Sequence, residues 1–313
     1  MGGICEGRVV VVTGAARGLG RAHALEFARQ GASVVVNDIG VALDGGGGDA
    51  GPAASVVEEI RALGGNAVAD GSDVADWGQA GELVARAVDT FGRLDVLVNN
   101  AGFVRDRMFV NISEQEWDEV LRVHLKGHAA TMRHAAEHWR ERAKSGAPVA
   151  ARVINTCSGA GLLGSVGQSN YAAAKAGIAA LTVNAAAELG RYGITANAIA
   201  PAARTRMTEQ VFAADMARPG DDAFDAMAPE NVSPLVVWLG SEESAQVTGR
   251  IFEVEGGAVR VMTAWRHGAA HDAGRRWNPA ELGPVVHDLL NRDPTPEPVY
   301  GATPQQSRAG GST

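Results

Sequence analysis

Cysteine, tyrosine and lysine are all scarce in this chain, at two, three and three residues in 313. Two thiols, Cys5 and Cys157, cannot build the disulfide framework of a small secreted scaffold. In a large acidic protein they fit free residues of a reducing compartment. No Cys/His spacing suggests a metal site, and the scattered histidines read as surface or packing residues. No apolar run is long enough to span a bilayer. Met1 to Gly7 leads directly into a strand-like run rather than into the basic segment and apolar core of a secretory signal. A cytoplasmic protein with no membrane contact is expected. Positive charge is short as well: 28 basic against 36 acidic residues give a net charge of −8. That argues against nucleic acid, because neutralising phosphates takes a basic face. An anionic ligand would be repelled by the bulk field and must meet locally placed arginines.

Apolar residues supply 46% of the chain, ample for a core, and one large α/β unit with a C-terminal extension suits the length. The scarcity of tyrosine and lysine gives weight to one pair. By chance a Tyr-x-x-x-Lys spacing would arise here with odds of roughly one in thirty-five, yet Tyr171 and Lys175 have it. On a helix from Gln168 to Gly190 they lie on one face, a turn apart. A phenol is a poor base near neutral pH. A neighbouring ammonium favours the phenolate, so Tyr171 can trade a proton with an alcohol or a ketone. Ser158 stands thirteen residues earlier, just past a strand ending at Thr156, where its hydroxyl can hold the substrate oxygen.

The N-terminal half supplies a second pattern. Arg8 to Val12 is a short β-branched run that suits a strand buried on both faces. Thr13-Gly-Ala-Ala-Arg-Gly-Leu-Gly20 follows, and then a helical stretch, Arg21 to Gln30. Strand, Gly-rich turn and helix are the context of a nucleotide phosphate site, with Gly14, Gly18, Leu19 and Gly20 letting backbone N–H groups approach a pyrophosphate. The glycine order differs from G-x-G-x-x-G, so an ordinary tight turn remains the alternative. The next strand, Ser33 to Asp38, ends in a carboxylate eighteen residues after Gly20, placed to accept the ribose hydroxyls of NAD and to repel the 2′-phosphate of NADP. Arg17 argues the other way, since it could pair with that phosphate. NAD is the expected cofactor, with NADP the alternative.

Short buried strands continue to alternate with helices: Ala53 to Leu63, Asn66 to Ala69, Trp77 to Phe91, Leu94 to Val98, Arg152 to Thr156, Ile194 to Ile199, Ser233 to Leu239 and Ile251 to Val254. This implies a doubly wound parallel sheet with helices on both faces. Ligands in such sheets sit beyond the carboxyl ends of the strands. Thr13, Asp38, Asp73 with Val74 at the adenine edge, Asn100 and Ser158 should therefore converge on one crevice. The Gly45 to Gly48 run reads as a mobile loop, and Pro201 to about Asn231 as a loop and lid.

Taken together, Thr13-Gly-x-x-x-Gly-x-Gly20, Asn99-Asn-Ala-Gly102, Ser158 and Tyr171-x-x-x-Lys175 resemble the short-chain dehydrogenase/reductase family, over about Gly7 to Gly257. A closer likeness is to the (3R)-hydroxyacyl-CoA dehydrogenase part of peroxisomal multifunctional enzymes of type 2 and to bacterial dehydrogenases of acyl-CoA or steroid substrates. It is carried by Val34 to Asp38, Arg105-Asp-Arg107, Val123 to Gly127, Gly167 to Tyr171, Arg204 to Met207 and Phe252 to Val254. The resemblance implies a Rossmann-type fold, a homodimer or homotetramer, and NAD-linked oxidation of a 3-hydroxyacyl-CoA or a 17β-hydroxysteroid. Ser158, Tyr171 and Lys175 would be catalytic, with Lys175 also holding the nicotinamide ribose. His124 stands where most members have an asparagine that holds a water of the proton relay, and an imidazole can hold that water too. The usual Pro-Gly pair after the sixth strand is Pro201-Ala202 here, which bears on the contact of Thr205 with the nicotinamide amide.

Two other readings stay open. An NADPH-dependent 3-oxoacyl-[acyl-carrier-protein] reductase would use the same chemistry, and a non-catalytic nucleotide-binding scaffold would use none. The domain expectation is a catalytic unit over residues 1–257 and an extension over 258–292, with Trp265, Trp277 and a helix from Pro279 to Leu290 packing on the core or a neighbouring subunit. Residues 293–313, with little to bury, are expected to be loose.

Overall fold

Val9–Thr13 forms β1, and all five residues, four of them valines, are buried, as they can be only in a strand covered on both faces. The structure is a computed structural model. It describes residues 2–40, 51–204, 218–220, 223–263, 265–293 and 297–302. Ser33–Asn37 (β2), Asn66–Asp70 (β3), Val96–Asn99 (β4), Ala151–Thr156 (β5), Ile194–Ala202 (β6) and Ile251–Glu255 (β7) pair in parallel in the order β3-β2-β1-β4-β5-β6-β7. A last strand, β8 (Ala258–Val261), runs antiparallel to β7.

Helices fill both faces. Gly18–Arg29 (α1), Gly51–Ala62 (α2) and Trp77–Phe91 (α3) cross between the first strands, and Glu114–Leu121 (α4), Gly127–Lys144 (α5), Gly159–Leu163 (α6), Ser169–Leu189 (α7) and Ser233–Gly240 (α8) follow. Alternation along each strand sorts the core into two layers. Val10, Val12, Val34, Val36, Ile154 and Ile199 pack with Phe27, Ile60 and Leu239 on one side. Val9, Val11, Val35, Leu97 and Val153 pack with Leu83, Met132 and Trp139 on the other. Trp139 is wholly buried, and its indole N–H donates to the Leu94 carbonyl at 2.7 Å.

The register aligns the strand ends that matter. Thr13 faces Asn37, Asn99 faces Asn155 and Thr156 faces Ile199. The chain turns from β1 outward to β2 and β3, then returns to β4 on the other side of β1. This reversal leaves a crevice beyond the carboxyl ends of β1 and β4. Among the described residues no helix is long and apolar enough to cross a membrane.

Three features depart from the sequence reading. The segment between Asn99 and Arg152, for which the sequence reading gave no element, carries α4 and α5 with a π-helical turn, Arg122–Lys126, between them. The sheet does not stop at Val254, because β8 adds a hairpin edge. The extension carries α9 (Leu282–Arg292), none of whose residues is buried. Trp265 is fully exposed, so this chain's own core does not cover them.

Candidate active site

The Gly14 turn lies between β1 and α1. Gly14 has φ +62, and a side chain on Gly20 would strike the Gly14 carbonyl at 2.2 Å, so backbone approach here requires glycine. Thr13 Oγ1 accepts from the N–H groups of Asn100 and Ala101 at 2.9 and 3.1 Å. The Asn100 amide donates to the carbonyls of Thr13 and Gly14 at 3.0 and 3.2 Å. The ends of β1 and β4 are thus sewn together, with the Asn100 side chain stabilising the turn. No side chain caps α1, and no acidic residue lies in its first turn. Its leading N–H groups therefore present a positive end that suits a phosphate.

Asp38 closes this site from β2. Its carboxylate accepts from Ala16 N–H at 3.1 Å and from Gly40 N–H at 2.8 Å. The acid expected to meet ribose hydroxyls is therefore held against the phosphate turn, while Arg17 is exposed. Asp73 is engaged differently, with Oδ2 2.9 Å from Arg122, and Val74 is buried beneath Gly127 of α5. Thr205 and Arg206, the rest of the lid over 207–217 and 221–222, and the Gly45 to Gly48 run lie outside the described residues.

Across the crevice, two residues past the end of β5, Ser158 caps α6 by accepting from Ala160 N–H at 3.2 Å. Its hydroxyl also acts on the phenol of Tyr171, in the direction of the phenolate. Lys175 is buried one turn along α7; its ammonium donates to the Thr156 carbonyl at 2.6 Å and lies 5.5 Å from the centre of the Tyr171 ring. The three expected residues do meet. Their electrostatics differ from the expectation of a phenol made acidic by the lysine. Burial pushes Tyr171 up to about 12, opposed by the Ser158 hydroxyl and reinforced by the charges of Cys157 and Asp106. Burial pulls Lys175 down to about 8. Desolvation is the largest cause of both shifts.

His124 sits in the π-helical turn with its ring edge-on to Tyr171, centroids 5.3 Å apart. Nε2 lies 3.0 Å from the Phe103 N–H and 2.6 Å from the Phe103 carbonyl, accepting from one or donating to the other according to tautomer. Nδ1 is buried without a partner. Burial, with Lys175 nearby, pushes this histidine down to about 3, so it is neutral at working pH. A side chain on Gly102 would lie 2.1 Å from the ring, which explains the glycine there.

Arg105, Arg107 and Arg204, considered as contacts for an anionic substrate, are each paired with a carboxylate: Glu119 at 3.3 Å, Glu116 at 3.2 Å and Asp225 at 2.7 Å. Sequence reasoning missed Asp106, Gln168 and Asn170, which brace the start of α7, and Tyr300. Tyr300 forms a parallel bridge with Ser165 and packs on Gly159, beside Ser158. Two residues of the segment expected to be loose, Val299 and Tyr300, are thus docked on the core. Backbone pairing needs no apolar mass, which is why composition gave no sign of it.

Comparison with known proteins agrees with this geometry. Residues 8–215 match the short chain dehydrogenase family. Hydroxyacyl-CoA dehydrogenase ChsB1 of Mycobacterium tuberculosis is 48% identical over 95% of this chain and 93% of its own. Peroxisomal multifunctional enzyme type 2 of mouse is 43% identical over 94% of this chain, which spans only 36% of that longer protein. The crystal structure of a short chain dehydrogenase from Mycobacterium avium, 63% identical, superposes with a TM-score of 0.87 over 96% of this chain and all of that one.

Proposed function

Because the chain belongs to the short chain dehydrogenase family, whose members bind NAD(P) and interconvert secondary alcohols and ketones, we propose that it is an NAD-linked dehydrogenase of 3-hydroxyacyl-CoA thioesters. The observation that carries the proposal is the meeting of Ser158, Tyr171 and Lys175 at the end of β5, facing the Gly14 turn across the crevice. Identity to ChsB1 and to the dehydrogenase-containing part of the mouse enzyme supports the thioester class; a 17β-hydroxysteroid is the second substrate class. Position and charge of Asp38 favour NAD over NADP. Gly14, Gly18, Leu19, Gly20, Asp38, Asn100 and Lys175 would hold the cofactor, which when bound takes up hydride from the carbinol carbon.

Each protein group then has one task. Tyr171 removes the hydroxyl proton. Ser158 hydrogen-bonds the substrate oxygen and, acting on the phenol, favours the phenolate. Lys175 supplies the nearby positive charge that a phenolate requires. Neutral His124 can hold a water behind them without titrating. A homodimer or homotetramer in the cytoplasm fits the uncovered apolar residues of α9 and the exposed Trp265.

Replacing Tyr171 by Phe should lower turnover by about 10²-fold or more, while NAD binding, followed by fluorescence quenching, is retained. Turnover kept in that variant would refute the assignment.

A further inference from the structure

The strap that follows β4 crosses the start of α7, and four hydrogen bonds sew the two together. Arg107 N–H donates to the Gly167 carbonyl at 2.8 Å. The Gln168 amide donates to both oxygens of Asp106 at 3.2 and 3.1 Å. The Asn170 amide donates to the Arg105 carbonyl at 3.1 Å, while its own oxygen accepts from Tyr171 N–H at 2.8 Å. Gln168 is the residue just before α7, yet its side chain does not cap the helix. It is turned to Asp106 instead. The arginines on either side of Asp106 reach other carboxylates, Arg105 to Glu119 and Arg107 to Glu116.

A half-buried carboxylate is therefore clamped at the foot of the helix that bears the phenol. We propose that Asp106 is a positioning residue for Tyr171: clamped by Gln168, it fixes the start of α7 and with it the place of the phenol beside the end of β5. This inference rests on the acid-base role given to Tyr171 above. Burial holds the Asp106 carboxyl above the usual range, with the Gln168 hydrogen bond opposing, and its charge acts on Tyr171 in the same upward direction. The other groups facing the phenol are Ser158 and Cys157 from the end of β5, Lys175 from α7 itself and His124 from the π-helical turn. Burial and the charges of Cys157 and Asp106 favour the neutral phenol, Ser158 opposes them, and the imidazole is neutral.

The sign follows from charge. An anion near Tyr171 favours its neutral form, so oxidation of an alcohol, which needs the phenolate, is held to higher pH, and reduction of a ketone is favoured at lower pH. Asp106→Asn keeps an oxygen that can accept from Gln168 and removes only the charge. In Asp106→Asn the acid limb of the kcat/KM profile for alcohol oxidation should move to lower pH by about half a unit or more. Asp106→Glu should leave the limb near its original position. Asp106→Ala, which loses the clamp, should lower kcat across the range. An independent readout is the phenolate absorbance at 295 nm in the protein without substrate, taken as a difference from Tyr171→Phe; its midpoint should fall in Asp106→Asn. A kcat unchanged in Asp106→Ala, with limb and midpoint unmoved in Asp106→Asn, would overturn the proposal. Activity surviving in Tyr171→Phe would instead overturn the assignment of function, so the two failures are distinguishable.

Discussion

At Asp38 one carboxylate accepts from both Ala16 and Gly40, and the proposal of an NAD-linked enzyme gives its negative charge a second part, the exclusion of a 2′-phosphate. Asp38→Ala should shift the ratio of kcat/KM for NAD to that for NADP toward NADP by about tenfold or more, the scale of one unit-charge interaction at intermediate dielectric. Initial rates with both cofactors decide it, and an unchanged ratio would mean that selection lies elsewhere. Ser158, Tyr171 and Lys175 were legible because their spacing is local or follows directly from a strand end. Asp106 was not, since its role depends on a strap folding back over residues some sixty positions later in the chain. The acidity of Tyr171 was misjudged for a related reason: the spacing gives proximity to Lys175, but the desolvation that dominates is a property of the closed fold.

Among the elements, the strands announced themselves through runs such as Val9 to Val12 and Ser33 to Asn37, where residues buried on both faces leave little choice but a central parallel strand. Elements of four or five residues, β8 and α6, carry too little pattern to be read, and the π-helical turn at His124 has no periodic signature of its own. A polar ladder between the sheet and two helices was equally invisible. The Asn99 amide donates to Asn155 at 3.0 Å, Thr131 of α5 donates to Asn99 at 2.7 Å, and Asn155 donates to Thr182 of α7 at 2.9 Å. These groups are buried, and a buried donor left unpaired costs more than its bond contributes. Thr182→Val, equal in shape, should therefore destabilise the protein by about 1–3 kcal/mol, read from urea unfolding. A change near zero would show that Asn155 finds another acceptor.

For the molecule as a whole, the expected doubly wound sheet is present, and the two-layer core explains why: the strands are apolar on both faces and the helices on one. The far end of the chain was the least legible part. Val166 N–H donates to the Tyr300 carbonyl at 2.9 Å, and Tyr300 N–H donates to the Gly164 carbonyl at 3.2 Å, a joint that no hydropathy pattern encodes. Deleting residues 297–313 should leave thermal unfolding and the KM for NAD nearly unchanged while raising the KM for a long-chain 3-hydroxyacyl-CoA several-fold. Equal effects on both Michaelis constants would show that the tail acts through general loosening.

The contact of Tyr300 with Gly159 joins the neighbour of Ser158 to a stretch beyond residues 8–215, the part matched by the family. Preference among alcohols would then be inherited partly from chain ends rather than from the shared catalytic body. Exchanging these ends between relatives should move that preference while leaving the reacting groups untouched.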